Sequence, residues 1–334
     1  MPATPRERAS PGAPEGQRGF ALLAALWLLS AAALILASLA VAGRSDRLEA
    51  ENQLQEVRAR AAARAGLAHA VALLSSLQDS AQFAAGRQMA GFLPEWNRLS
   101  RISAALHHVG LPDGASYSVA FRDPTAKLSL NGASEAEFAR LLTALGVSAE
   151  RALVVSQSIL DWRDPDGLHR PDGAEWDDYY RNLNSPVHPA NGPFTSLAEL
   201  RLVRGMDPRL YARLDSLLRV FPEGPVNLNA APAPVLRALP GLDREAVGAI
   251  LGGRSVGAPI RSLLDLESRV SATSRGTIER SFDKLAPSVD FEPRYLIVTS
   301  RGRAVGSGSG CVIHALVERT PGRVGVVWSV IDPR

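Results

Sequence analysis

Twenty-three consecutive residues, Phe20–Ala42, contain no charge, no Gly and no Pro. As a helix they extend about 34 Å, enough to cross a hydrocarbon core of about 30 Å. A run this long and apolar has to leave water, and the chain that follows it has to lie on one side of a membrane. Arg6, Arg8 and Arg18 precede the run, and this bias of positive charge keeps the N-terminus cytoplasmic. A secretory signal has an apolar core of about 7–15 residues ending at a small-residue cleavage site, so the length here favours a lasting single-pass anchor. Residues 1–17, rich in Pro, Ala, Gly and charge, read as disordered.

The helix does not stop at the membrane. Ser45 to Leu77 contains no Pro, and Val57, Ala61, Ala65, Ala68, Val71 and Leu74 recur at spacings of three or four between Arg and Glu. The spacing predicts an amphipathic continuation whose second half packs on something apolar. Gly43 and Gly66 are places for a bend, each costing about 1 kcal/mol against Ala.

Composition narrows the function classes. Lys and Arg number 37 against 34 Asp and Glu, a net charge of +3, and the cations are interleaved with acids. That pattern argues against a nucleic-acid face. The single cysteine, Cys311, excludes an intrachain disulfide and a thiolate metal cluster, and its surroundings read as a buried strand. There is no Gly-x-Ser-x-Gly, no His-Glu-x-x-His and no Walker loop, so no catalytic residue is assigned and the chain reads as a non-enzyme. The run Gly306, Gly308, Gly310 precedes a strand and lacks the helix a phosphate loop requires, so it reads as a hairpin.

Tyr117–Arg122 alternates as a strand, and Lys127–Leu130 reads as a second short one. Three more follow in the tail, at Tyr295–Ser300, Val312–Glu318 and Val324–Ile331, joined by Gly-rich and Pro-Gly turns as an antiparallel meander. Before them, Gln78–Gly91 and Ser100–His108 read as helical, with turns at Pro94 and Leu111–Gly114. His107 and His108 would point about 100° apart on a helix, which suits exposure better than a shared metal. Between the strand groups the sequence repeats itself. Leu128–Ala133 matches Val226–Ala231, Ser158–Arg163 matches Ala249–Arg254, and Thr195–Leu200 matches Arg261–Leu266. The offsets are 98, 91 and 66, so the first copy carries 25 additional residues between Arg163 and Ser196. Two helical hairpins packed on each other are expected, since two copies are too few for a solenoid. The fold class is α+β. The expected organisation is a leader (1–19), a transmembrane part of the helix (20–42), its amphipathic part (43–77), an α/β domain (78–131 and 287–334) and an inserted helical domain (132–286).

The additional segment, taken from Asp161 onward, is the most polar part of the chain, with Asp161, Asp164, Asp166, Asp172, Glu175, Asp177 and Asp178 among frequent Pro and Gly. Hard oxygens along such a loop are the donors Ca²⁺ takes, six to eight at a time. The candidate ligands are Asp161, Asp164, Asp166, Glu175, Asp177 and Asp178; the other reading is a solvated acidic loop. Trp162, Trp176, Tyr179 and Tyr180 argue that the loop is ordered. A metal-dependent hydrolase built on it would lack a nucleophile or base in a recognisable frame. Ala238–Leu251 resembles the helix-hairpin-helix motif of DNA-binding proteins, which leaves a membrane-anchored DNA-uptake protein as the alternative. Asp243 stands where that motif has its second Gly, and its carboxylate would repel a phosphate, so the hairpin reads as packing.

The boundary Arg18-Gly19-Phe20 followed by the apolar run resembles the type IV pilins and type II secretion pseudopilins. Further matches at Ile159–Asp166, Arg170–Tyr180, Pro189–Met206 and Pro225–Leu236 make the chain similar to the general secretion pathway protein K family, the large minor pseudopilin of type II secretion. The resemblance implies a pilin-like helix and sheet interrupted by the helical insertion. It implies cleavage by a prepilin peptidase between Gly19 and Phe20, methylation of the new N-terminus, and Ca²⁺ near the insertion. It also implies an inner-membrane anchor with a periplasmic bulk, no nucleic acid, and a position at the pseudopilus tip, where the chain helps start assembly. The implied partners are the minor pseudopilins of types I and J and the major pseudopilin. Most pilins carry Glu at the fifth mature position, facing the amine of the next subunit; Ala24 stands there in this chain, as suits a subunit with none above it.

Overall fold

The computed structural model of the chain describes residues 16–86, 103–104, 106–305, 310–320 and 322–333. The leader before Gly16, the helical reading beyond Gly86, the turn at Pro94 and residues 306–309 of the Gly run lie outside these. The chain divides into two compact units, one ending at Arg58 and one beginning at Ala59.

Helix α1 runs from Gly16 to Gly86 and passes through both Gly43 and Gly66. In the first unit its apolar side chains, among them Phe20, Trp27, Leu34 and Leu39, are exposed. Among the described residues it is the one helix long and apolar enough to cross a membrane.

In the second unit, a five-stranded antiparallel sheet receives the later turns of α1. Its strands are β1 (Val109–Gly110) and β2 (Ser116–Arg122), then, after the helical insertion, β7 (Tyr295–Arg303), β8 (Gly310–Thr320) and β9 (Arg323–Pro333). Their order is β1-β2-β7-β8-β9. The first and last parts of the domain thus join where β2 pairs with β7, Val119 opposite Ser300. Cys311 is buried in β8.

The buried stripe of α1 is Ala59, Ala62, Ala63, Ala70 and Leu74, with Gly66 among them. The expected stripe holds at Leu74, with Ala65 and Val71 partly buried against the core, and fails elsewhere: Val57 is 64% exposed, and Ala61 and Ala68 also face outward. The cause is how closely helix and strand approach. A Cβ on Gly302 of β7 would sit 2.1 Å from the Ala59 carbonyl oxygen, and one on Gly66 would sit 2.3 Å from Ser300 Oγ. Contact this close selects the smallest side chains rather than the most apolar ones. Ser300 Oγ donates to the Ala63 carbonyl across it at 2.8 Å.

The insertion is a duplicated helical body. In the first copy, β3 (Leu128–Ser129) pairs in parallel with β4 (Leu218–Arg219); the expected strand at Lys127–Leu130 therefore serves the insertion and stays out of the large sheet. Between them lie α2 (Glu135–Ala144), α3 (Ala149–Arg163), a 3-10 turn (Leu197–Leu202) and α4 (Pro208–Asp215). In the second copy, β5 (Val226–Asn227) pairs in parallel with β6 (Val289–Asp290). It encloses α5 (Ala233–Ala238), α6 (Arg244–Ser255), α7 (Leu263–Ser268) and α8 (Ala272–Arg280), then the short α9 (Phe282–Leu285). The same bonds recur at equivalent positions. Arg163 donates to the Leu130 and Ala133 carbonyls at 2.5 and 2.6 Å, and Arg254 donates to those of Leu228 and Ala231. Asn131 exchanges two bonds with the Phe194 backbone, and Asn229 does so with Ile260. The two copies share one core, in which Phe138, Ile159, Leu236 and Ile250 are buried.

Candidate functional site

The acidic segment leaves α3 at its C-terminus and folds back over the first copy. Trp162, Tyr180 and Phe194 are buried at its base. The Trp162 ring meets Tyr180 edge-on at 5.5 Å and stacks with Phe194 at 6.2 Å. Contacts of this kind order a loop that has almost no regular structure of its own. Glu199, at the start of the 3-10 turn, accepts from Trp162 Nε1 and from the Thr195 and Ser196 amides. These bonds tie the far end of the segment to its beginning.

Asp161 lies at the centre, with its side chain fully buried. It accepts from the Ala174 amide at 2.8 Å, from the Arg170 amide at 3.1 Å and from Arg170 Nη1 at 2.5 Å. The backbone comes so near that a Cβ on Gly173 would fall 1.8 Å from Asp161 Oδ2, which only a glycine avoids. Burial pushes the Asp161 carboxyl up from its ordinary range, and the Arg170 bonds pull it back. The same Arg170 Nη1 donates to Asp164 Oδ2 at 2.7 Å.

Glu175 is the outlier. It is 2% exposed, and neither carboxylate oxygen has a hydrogen-bond partner. Burial, reinforced by the negative charge of Asp161, pushes its pKa up to about 7. Asp164 Oδ1 is likewise buried without a partner. The other three candidate ligands have partners of their own. Asp166 caps a turn through the Leu168 amide, Asp177 pairs with Arg181 at 3.1 Å, and Asp178 accepts from the Glu175 amide. Arg170 thus brings Asp161 and Asp164 together, and Glu175 lies near enough to feel both charges, while Asp166, Asp177 and Asp178 are held by partners of their own. Among the described residues no three acidic, histidine or cysteine side chains converge as a ready cation cage. The three orphaned oxygens are nevertheless hard donors with no protein hydrogen to satisfy them, which fits a cation better than a closed ion-pair network.

Sequence reading overlooked two participants. Arg170 sits between the acids and holds two of them, and Gln157 accepts from the Asp172 amide at 2.8 Å. No spacing signal singled out Arg170, since Arg163 and Arg181 lie in or beside the same acidic stretch.

At the second candidate, the hairpin between α5 and α6, a Cβ on Gly241 would lie 2.7 Å from the Ser281 Cβ. Asp243 accepts from the Ala246 amide and from Ser274 Oγ. The turn is engaged with its own domain, as packing requires.

Residues 119–223 match the family described as Type II secretion system (T2SS), protein K. Over these residues the chain is similar to protein K of the type II secretion system. The protein K match opens inside β2 and continues through the first copy, so it covers the junction of sheet and insertion and the whole acidic segment. Named relatives are similar over part of their length. The type II secretion system protein K of Pseudomonas aeruginosa is 32% identical over 140 residues, 39% of this chain and 41% of that protein. Those of Dickeya chrysanthemi and Aeromonas hydrophila are 36% and 40% identical over 107 and 93 residues, covering 29% and 28% of their lengths. The alignments thus span less than half of these relatives. A chain in the crystal structure of the GspK-GspI-GspJ complex from the enterotoxigenic Escherichia coli type 2 secretion system shares the fold, with a TM-score of 0.53 at 21% identity. The superposition covers 77% of this chain and 98% of that one.

Proposed function

We propose that the chain is a minor pseudopilin of the type II secretion system that caps the pseudopilus tip and helps initiate its assembly. The observation that carries this reading is the protein K match running from β2 into the first helical copy. It supports the composite architecture of sheet plus insertion and not merely a helix pair. The solved complex was crystallised with GspI and GspJ, and their equivalents are the partners we assign. On this reading Phe20–Ala42 anchors the chain in the inner membrane with its bulk in the periplasm. Prepilin peptidase cuts between Gly19 and Phe20, and the freed amine is methylated. Ala24 suits the tip, because an unpaired carboxylate at that depth of the bilayer would cost a few kcal/mol. No catalysis is assigned. Mass spectrometry of the membrane-extracted protein tests the processing step: a Phe20 N-terminus is expected, and an intact Gly19–Phe20 bond overturns it.

We further propose that Ca²⁺ binds at the acidic segment, with Glu175, Asp164 and Asp161 as its inner donors. The bound ion would supply charge compensation and rigidity, and Arg170 would yield part of its hold on Asp161 and Asp164. The orphaned oxygens of Glu175 support this assignment. Chelator is expected to lower the melting temperature of the native protein through loss of ligand from the folded state.

A further inference from the structure

The face of the sheet turned away from α1 carries a groove of about 680 Å³, which the proposed function leaves unused. Side chains alternate across a strand. Tyr117, Ser300 and Gly302 meet α1, so their neighbours Ser116, Ser118, Thr299, Arg301 and Arg303 face the other way and line the groove. The strand register sets Ser118 opposite Arg301 and Ser116 opposite Arg303. Two cationic residues therefore stand two positions apart on one strand, each beside a hydroxyl on the next. His107 and His108 flank them, and no carboxylate lines the groove among the described residues.

This charge is not neutralised locally. Several other arginines are engaged: Arg163 and Arg254 by carbonyl oxygens, and Arg151, Arg170, Arg269 and Arg294 by carboxylates. Arg301 and Arg303 are exposed, and neither meets an acidic side chain among the described residues. Side chains two apart on a strand are about 6.8 Å from each other along it, near enough for like charges to repel until an anion comes between them. Acids at alternate positions of an extended segment have the same repeat, so a strand-like ligand presents its carboxylates in register with both guanidinium groups. The volume lies within the range of about 300–1,000 Å³ common to ligand pockets and is far larger than a single phosphate needs.

We propose that this groove binds an extended acidic segment of a partner protein, with alternate carboxylates on Arg301 and Arg303 and the Ser116 and Ser118 hydroxyls as accessory donors. The site is separate from the acidic loop and does not depend on the function proposed above. The test is fluorescence anisotropy of the full chain in nonionic detergent at low salt, with a labelled heptapeptide carrying Asp at alternate positions as the probe. Saturable binding is expected. It should weaken about tenfold or more in R301E/R303E, and less but in the same direction in R301Q/R303Q. The charge-matched control R209E/R237E, at exposed sites on the helical body, should bind as the native chain does. Thermal melts of each variant establish that it is folded. Three outcomes overturn the proposal: no saturable binding, equal weakening in the control, or displacement of the peptide by an equal concentration of inorganic phosphate.

Discussion

Glu175 holds a carboxyl in the protein interior with neither oxygen bonded, and the consequence is a pH dependence of known sign. Its pKa is about 7 in the fold, against an ordinary 4.5 when unfolded. Below pH 4.5 both states are protonated and the group contributes nothing. As pH rises to about 7 the unfolded state loses its proton first, so stability falls across that window. In the absence of divalent cations, E175Q should therefore melt several degrees above the native chain at pH 8. The underlying difference is at most about 3 kcal/mol, and it should vanish at pH 4. Equal melting at both values would show that the carboxyl is not strained. With Ca²⁺ added, the native chain should gain stability and E175Q should not. That asymmetry would separate ion binding from simple relief of burial. Neither Glu175's isolation nor Arg170's central place follows from acidic spacing, because each depends on how the loop folds back over Asp161.

Among the elements, the repeated arginine staple is the most economical device. Arg163 and Arg254 end equivalent helices, and each satisfies two carbonyls of the segment that follows its own first strand. R163L and R254L should each cost about 2–4 kcal/mol, since two acceptors are left without donors in a partly buried site. Chemical denaturation checks this, and a loss below about 1 kcal/mol in either would show that water replaces the guanidinium. Helix α1 makes a different demand. G302A should cost about 1–3 kcal/mol, because a methyl group cannot fit against the Ala59 carbonyl; a thermal melt unchanged by G302A would mean that the helix lifts freely. The duplication was legible in sequence because both copies keep the same aliphatic-x-Leu-Asn and helix-Arg positions. The buried stripe of α1 was not. Apart from Leu74, which was expected, its residues are Gly66 and alanines seated by their size, and a hydrophobic pattern gives these less weight than Val57.

For the whole molecule, the strand alternation at Tyr117–Arg122 and in the tail was enough to expect an antiparallel sheet split by an insertion, which is the architecture found. The parallel pairs β3–β4 and β5–β6 were not legible, because strands of two residues leave no periodic trace. If the chain is the tip subunit we propose, co-expression with the I- and J-type minor pseudopilins of its own system should yield a complex that survives extraction from the membrane. Recovery of the chain alone would count against that place in the assembly. The seat of α1 on β7 also bears on how such a subunit takes load. Where backbone meets backbone at Gly302, with Ser300 latched to Ala63, the contact works as a detent. Shear along residues 59–77 must first lift a turn clear of the strand, so the joint yields in discrete slips and does not creep.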